Sequence, residues 1–140
     1  MPIRWRLTLF NALAIGAISA SVNLANNIRD IPTDAAAGKR TLAVRLGDAK
    51  ARRLFAALTM TPFVMTFVLA IFSLPTLAAL LALPLALASV LKVLRGAQGP
   101  ALIPVLGLNG KAMLVWTVAT AVALVVGGGM WYAPMYYPLV

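Results

Sequence analysis

The sequence predicts an all-α protein, a polytopic transmembrane helix bundle of about four spans. Three observations carry that prediction. Of its 140 residues 62% are hydrophobic and 11% charged, with a mean hydropathy of +0.94, values far from those of a soluble domain. Four apolar stretches reach or approach the roughly twenty residues a helix needs to cross a bilayer. Most of the charge is gathered in the connections between them.

The first stretch runs from about Leu7 to Ile28. Arg4 and Arg6 precede it, but it continues to Asn23, Asn26 and Asn27 without a clear small-residue cleavage site, so it reads as a retained span and not a cleaved signal. Its small residues, Ala12, Ala14, Gly16, Ala17, Ser19, Ala20 and Ser21, allow close helix packing. The second and third stretches, about Leu54–Phe72 and Pro75–Leu94, contain Pro62 and Pro84. Membrane helices tolerate these prolines when neighbours satisfy the freed carbonyls. The fourth runs from about Ala112 to Trp131, and its glycines Gly127 to Gly129 read as packing or flexibility near a helix end. There is no internal repeat.

Topology follows from the positive charges. The connection spanning residues 29–53 carries Arg29, Lys39, Arg40, Arg45, Lys50, Arg52 and Arg53, and the one after the third span carries Lys92, Arg95 and Lys111. The opposite side has only Arg4 and Arg6, so both charged connections are expected on the cytoplasmic side of the cell (inner) membrane, with the termini outside. Trp5, Trp131, Tyr132, Tyr136 and Tyr137 would form an aromatic belt on the outer side.

Composition also excludes functions. With no Cys and no His, thiolate or imidazole metal sites, Cys or His nucleophiles and disulfides are ruled out. Any metal must be held by oxygen, as a hard cation such as Mg²⁺ is. The net charge of +9 clusters beside apolar spans instead of interleaving with aromatics along one face, so no nucleic-acid partner is expected.

Polar chemistry concentrates in "NNIRDIPTDAAAGKRTLAVRLG", Asn26 to Gly47. All three acidic residues, Asp30, Asp34 and Asp48, lie in it or at its edge. At about 100° per residue, Ser19, Asn23, Asn27 and Asp30 share a narrow sector with Asn26 at its border, a polar stripe that should line a bundle interior or a wet cavity. Asp30 and Asp34 are four residues apart, one helical turn. Pro32 is expected to end the first helix near Asp30 and leave Asp34 in the turn or at the N-cap of a following short helix. Simple capping by Asp34 and a salt bridge at Asp30 would explain the spacing alone. Two carboxylates at the mouth of a polar stripe, followed by Gly38, Lys39, Arg40 and Arg45, also suit a Mg²⁺-bridged diphosphate.

This segment closely resembles the second aspartate-rich motif of the UbiA superfamily of intramembrane prenyltransferases. Its form, Asn-Asn-x-Arg-Asp-x-x-x-Asp followed by Gly-Lys and Thr-Leu-Ala-Val-Arg-Leu-Gly, is most similar to the 1,4-dihydroxy-2-naphthoate polyprenyltransferase branch of menaquinone synthesis. The resemblance covers about 22 residues of the chain. It implies a nine-helix bundle of which these spans are the last four, and transfer of a polyprenyl group from an allylic polyprenyl diphosphate to 1,4-dihydroxy-2-naphthoate, giving demethylmenaquinone. By position, Asp30 and Asp34 resemble the Mg²⁺ ligands, Lys39 and Arg45 resemble diphosphate contacts with Arg40 beside them, and Asn27 and Arg29 support the site.

Two departures qualify the resemblance. Ala35 stands where the family often has a basic residue. The family's first aspartate motif is absent, because every acidic residue lies in or beside the second. The chain therefore reads as the C-terminal portion of a prenyltransferase, completed by a missing N-terminal half or a homo-oligomer and inactive alone. The competing expectation is a non-catalytic membrane protein or scaffold whose basic loop binds anionic lipid or a partner, which accounts for the positive charge but not for the paired aspartates. A transporter fragment would suit the polar stripe, yet no charge was placed inside a predicted span.

Overall fold

The computed structural model describes the backbone of residues 3–136 and the side chains of residues 5–127. The expected aromatic positions Trp131, Tyr132, Tyr136 and Tyr137 lie outside the described side chains, whereas Trp5 is exposed. The described chain is helical throughout: α1 (Ile3–Arg29), α2 (Ile31–Ala36), α3 (Leu42–Leu46), α4 (Asp48–Ala70), a 3₁₀ segment (Leu74–Ala82) running into α5 (Leu83–Leu94), and a 3₁₀ turn (Gly99–Leu102) leading into α6 (Ile103–Tyr136). Four stretches, Trp5–Arg29, Asp48–Ala70, Leu74–Leu94 and Gly99–Gly127, are long and apolar enough to cross a membrane.

Each helix turns one stripe inward. On α1 the buried residues are Ala14, Ala17, Ile18, Ser21, Leu24, Ala25 and Ile28, the three- and four-residue spacing of a helical face. In the 3₁₀ segment the buried residues Thr76, Ala79 and Ala82 recur every third position, which matches its three-residue turn. The outward residues of α4 to α6, among them Val64, Phe67, Leu81, Leu91, Leu114, Val118 and Val122, are exposed and apolar. Such a surface suits lipid, which solvates it without penalty.

Two prolines take different roles. Pro62 is buried inside α4, and the Thr66 hydroxyl donates to its carbonyl at 3.0 Å. Pro84 sits in the first turn of α5, where the 3₁₀ segment gives way to α-helix and its missing N–H costs nothing. The fourth span begins well before Ala112, and Lys111 lies exposed within α6 and not in a connection. Pro104 is in the first turn of that helix, and Gly107 and Gly110 are carried inside it. Pro104 is tolerated at that position because its missing N–H has no partner in a first turn, and Gly107 and Gly110 stay helical with open space around them. Gly127 does pack tightly: a Cβ there would meet Ser73 Oγ.

The apolar core forms two layers. One groups Leu24, Ala25, Ile28, Ala51, Phe55, Val90, Val93 and Val105 beneath the charged connections. The other groups Ala14, Ile18, Phe63, Leu69, Ala79, Ala86, Ala112 and Trp116. In the second layer Trp116 Nε1 donates to Thr66 Oγ1 at 2.9 Å.

Candidate functional site

The segment from Arg29 to Gly47 is folded into short helices. Asp30 follows the last residue of α1 and flanks the start of α2. Its carbonyl accepts the Asp34 backbone N–H at 2.8 Å and the Thr33 hydroxyl at 3.0 Å. That i to i+4 bond continues the helical path through the junction, so the two aspartates are one turn apart despite Pro32. Pro32 lies in the first turn of α2, where its lack of an N–H is harmless. Asp34 is buried inside α2 and is not its N-cap; that position is held by Asp30, whose side chain makes no capping hydrogen bond because Arg29 occupies it.

Both carboxylates meet a cation. Arg29 grips Asp30 with Nε to Oδ1 at 2.7 Å and Nη2 to Oδ2 at 2.8 Å. This bidentate hydrogen bond, with a weaker attraction from Lys39, holds the Asp30 carboxyl below the usual carboxylate range. Lys39 Nζ lies 3.5 Å from Asp34 Oδ1. Its backbone N–H also donates to the Asp34 carbonyl at 2.8 Å, a contact allowed by the left-handed Gly38 at φ 72°. Gly38 thus turns the chain so that Lys39 returns over Asp34.

Arg40 and Arg45 stand beyond that turn and, with Val44, line an open cavity of about 660 Å³. Thr41 caps α3 by accepting the Val44 N–H at 3.4 Å. Gly47, at φ 76° and ψ 160°, then redirects the chain into α4. Asp48 takes no part in the cluster: it pairs with Arg52 at 2.7 Å.

The asparagines divide. Asn26 and Asn27 are half-buried, and Asn23 is exposed on the side of α1 away from its packed face. Ser19 is also exposed, and its hydroxyl reaches Met113 Sδ on α6 at 3.5 Å. The polar stripe therefore exists on one face of α1, but that face is not enclosed by the other described spans.

Among the described residues no group of three or more His, Cys, Asp or Glu gathers to hold a metal. Asp30 and Asp34 nonetheless fit Mg²⁺ by donor chemistry, since that ion is commonly held by one or two carboxylates together with substrate phosphates.

Two polar residues escaped sequence reasoning. Arg52 reads in the sequence as one of the charges of the 29–53 connection, yet it is buried in α4 and donates to the Val93 and Ala97 carbonyls at 2.6 and 2.9 Å, closing the end of α5. Its four-residue spacing from Asp48 was the available signal. Asn109 is fully buried inside α6, three residues ahead of Ala112, where the hydropathy places the start of the fourth span.

Comparison with known proteins gives a consistent picture. Residues 2–102 match the UbiA prenyltransferase family. The chain is 52% identical over 119 residues to a 1,4-dihydroxy-2-naphthoate octaprenyltransferase of Mycobacterium tuberculosis, covering 85% of this chain and 41% of that protein. The enzyme of the same name from Mycobacterium leprae is 47% identical over 121 residues, covering 86% and 41%. That of Escherichia coli is 38% identical over 107 residues, covering 74% and 35%. The chain thus spans about two-fifths of the length of the mycobacterial relatives. No solved structure matches.

Proposed function

The chain belongs to the UbiA prenyltransferase family, and from that premise we propose that it supplies the second aspartate-rich motif of an enzyme that prenylates 1,4-dihydroxy-2-naphthoate. The observation that carries this reading is the cluster Arg29, Asp30, Asp34 and Lys39, followed along the chain by Arg40 and Arg45, which line an open cavity with Val44. The donor is an allylic polyprenyl diphosphate. Its C–O bond breaks, diphosphate leaves with the electron pair, and the aromatic carbon takes the prenyl cation. The acceptor's carboxyl group then leaves as carbon dioxide, its bonding electrons restoring the aromatic ring, and the product is the reduced, quinol form of demethylmenaquinone.

In this reading Asp30 and Asp34 hold Mg²⁺, which when bound would neutralise charge on the diphosphate oxygens. Lys39, Arg40 and Arg45 bind those oxygens directly, and Arg29 divides its hydrogen bonds between Asp30 and the phosphate. Asn26 and Asn27 buttress the approach from α1, and Asn23 lies on the same face deeper along the helix. These residues supply binding and orientation; exclusion of water from the cation requires a closed pocket.

Closure comes from the remaining polypeptide of a full-length enzyme or from a second copy. Asn23 is exposed on α1 about two turns from its charged end, and a polar group at that depth favours a protein or water-filled neighbour over lipid. Residues 1–140 then correspond to the last four of nine spans, with the charged connections facing the cytoplasm as the positive-inside rule requires.

The test is divalent-dependent binding of a short allylic diphosphate to the purified chain in detergent. Saturable binding that disappears with EDTA and in Asp30→Asn supports the reading. Binding that survives EDTA but collapses with salt would instead favour a basic surface for anionic lipid, to which exposed Arg40, Arg45, Lys50 and Arg53 contribute.

A further inference from the structure

The two apolar layers are separated by a polar one. Asn109 of α6 is fully buried and reaches the other three long helices. Its Nδ2 donates to Ser21 Oγ of α1 at 2.8 Å and to Thr59 Oγ1 of α4 at 3.3 Å, while its Oδ1 accepts from the Ser89 hydroxyl of α5. Ser21, Thr59 and Ser89 are themselves fully buried. The amide orientation follows from the network: Ser21 spends its proton on the Ile18 carbonyl at 2.6 Å, so it accepts from the amide nitrogen.

Apolar contacts tolerate sliding and rotation, because one Leu or Ala can replace another against a smooth partner. A buried amide with directional partners does not, since a shift leaves its donors unpaired in an apolar surround. A single buried Asn fixes helix register in coiled coils by this means. Here the partner on α1 is Ser21, about 12 Å along the helix from Arg29. Ser21 and the stripe of Asn23, Asn27 and Asp30 lie on opposite sides of α1 at 100° per residue.

We infer that Asn109 is a positioning residue: by holding Ser21 inward it sets the rotation of α1 and so the direction in which Asn23, Asn27 and Asp30 face. Its importance for activity rests on the prenyl-transfer reading; the register pin itself does not. Nothing in the aspartate cluster touches Asn109, so its action is through α1.

The chain contains no Cys, so an introduced thiol reports alone. Asn23→Cys lies on the exposed polar side of α1, about two turns from its charged end, and Ala25→Cys on the packed side, where Ala25 is 1% exposed. In detergent with N-ethylmaleimide, the thiol at 23 is expected to react at least about tenfold faster than the thiol at 25. Asn109→Leu should collapse that ratio while far-UV circular dichroism stays helical. Asn109→Asp should restore it in mildly acidic buffer, where the neutral acid still donates to Ser21. Thr66→Val, which deletes the buried Trp116 partner in the other layer, should leave the ratio unchanged.

An unchanged ratio in Asn109→Leu, or an equal collapse in Thr66→Val, overturns the inference, as does failure of Asn109→Asp to restore it. Because no ligand is needed, the outcome is separable from the functional reading. If Mn²⁺ with inorganic pyrophosphate fails to bind the unaltered chain while the thiol contrast behaves as expected, the prenyl-transfer reading falls and the register pin stands.

Discussion

Arg29 engages both carboxylate oxygens of Asp30, at 2.7 and 2.8 Å, at the point where α1 hands over to α2. An aspartate at the C-terminal end of a long helix faces the negative end of its dipole, and the guanidinium supplies the compensating charge. Its carboxyl titrates below the usual value as a result. The pair is partly exposed, at 31% and 38%, so its weight lies in orientation more than in stability.

The pH dependence has a definite sign. A depressed folded-state pKa means that the ionised pair contributes above the ordinary Asp value of about 3.9 and that this contribution is lost as pH falls through the lower folded value. Carbon-13 carboxyl titration should give Asp30 a midpoint below that ordinary value, and Arg29→Gln should move it upward. A midpoint that ignores the substitution would remove Arg29 as the cause.

Removal of either carboxylate should separate binding from folding. Asp30→Asn retains size but not charge, and in an assembled enzyme turnover is expected to fall by about 10²–10³-fold, the scale of losing one preorganised electrostatic contact. Helical content should be unchanged. Near-normal rates in a steady-state assay would take Asp30 out of the metal site.

The purified 140-residue chain should turn over negligibly on polyprenyl diphosphate and 1,4-dihydroxy-2-naphthoate, because the exposed face of α1 leaves the pocket open to water. Mg²⁺-dependent product detected by liquid chromatography would contradict this and would direct attention to a homo-oligomer completing the site.

Arg52→Met should destabilise the bundle without affecting diphosphate affinity. The change removes both hydrogen bonds at the end of α5; the Val93 carbonyl keeps the Gly96 N–H at 3.1 Å and the Ala97 carbonyl loses its side-chain donor, at a cost of about 1–3 kcal/mol. The lost pair with half-exposed Asp48 adds little. Denaturant titration in mixed micelles measures the first effect and calorimetry with pyrophosphate the second; an unaltered midpoint would show the carbonyls to be satisfied by water.

Gly47→Ala should cost about 1–3 kcal/mol, since φ 76° with ψ 160° is a region nearly confined to glycine. Gly16→Ala, in a helical position with open space around it, is the matched control and should be neutral or slightly stabilising.

Much of the bundle was legible before any coordinates. Long apolar runs bounded by charge leave helices as the economical solution, because a backbone in lipid must satisfy its own hydrogen bonds. The start of α6 was not legible. Pro104, Gly107 and Gly110 carry local signals against a helix interior; the first-turn position accommodates the proline, and the buried Val105, Asn109 and Ala112 on the same helix hold the segment in the bundle. The aspartate pair was legible from spacing, and its junction between two helices was anticipated from Pro32. That Arg29, the nearest cation in sequence, would take both oxygens of Asp30 was not, since several basic residues compete within a few turns.

The sequence by itself determined the helical class, the family and the segment in which polar chemistry is concentrated, because hydropathy and motif spacing are properties of neighbours along the chain. Only the tertiary structure decided that Arg52 is a buried clasp, that Asn109 joins four helices, and that the polar stripe of α1 lies on the side opposite its packed face, exposed at Asn23 while Ser19 reaches Met113 of α6. Those outcomes depend on partners dozens of residues away. The direction in which a helix turns its polar face is set by what packs against its other side.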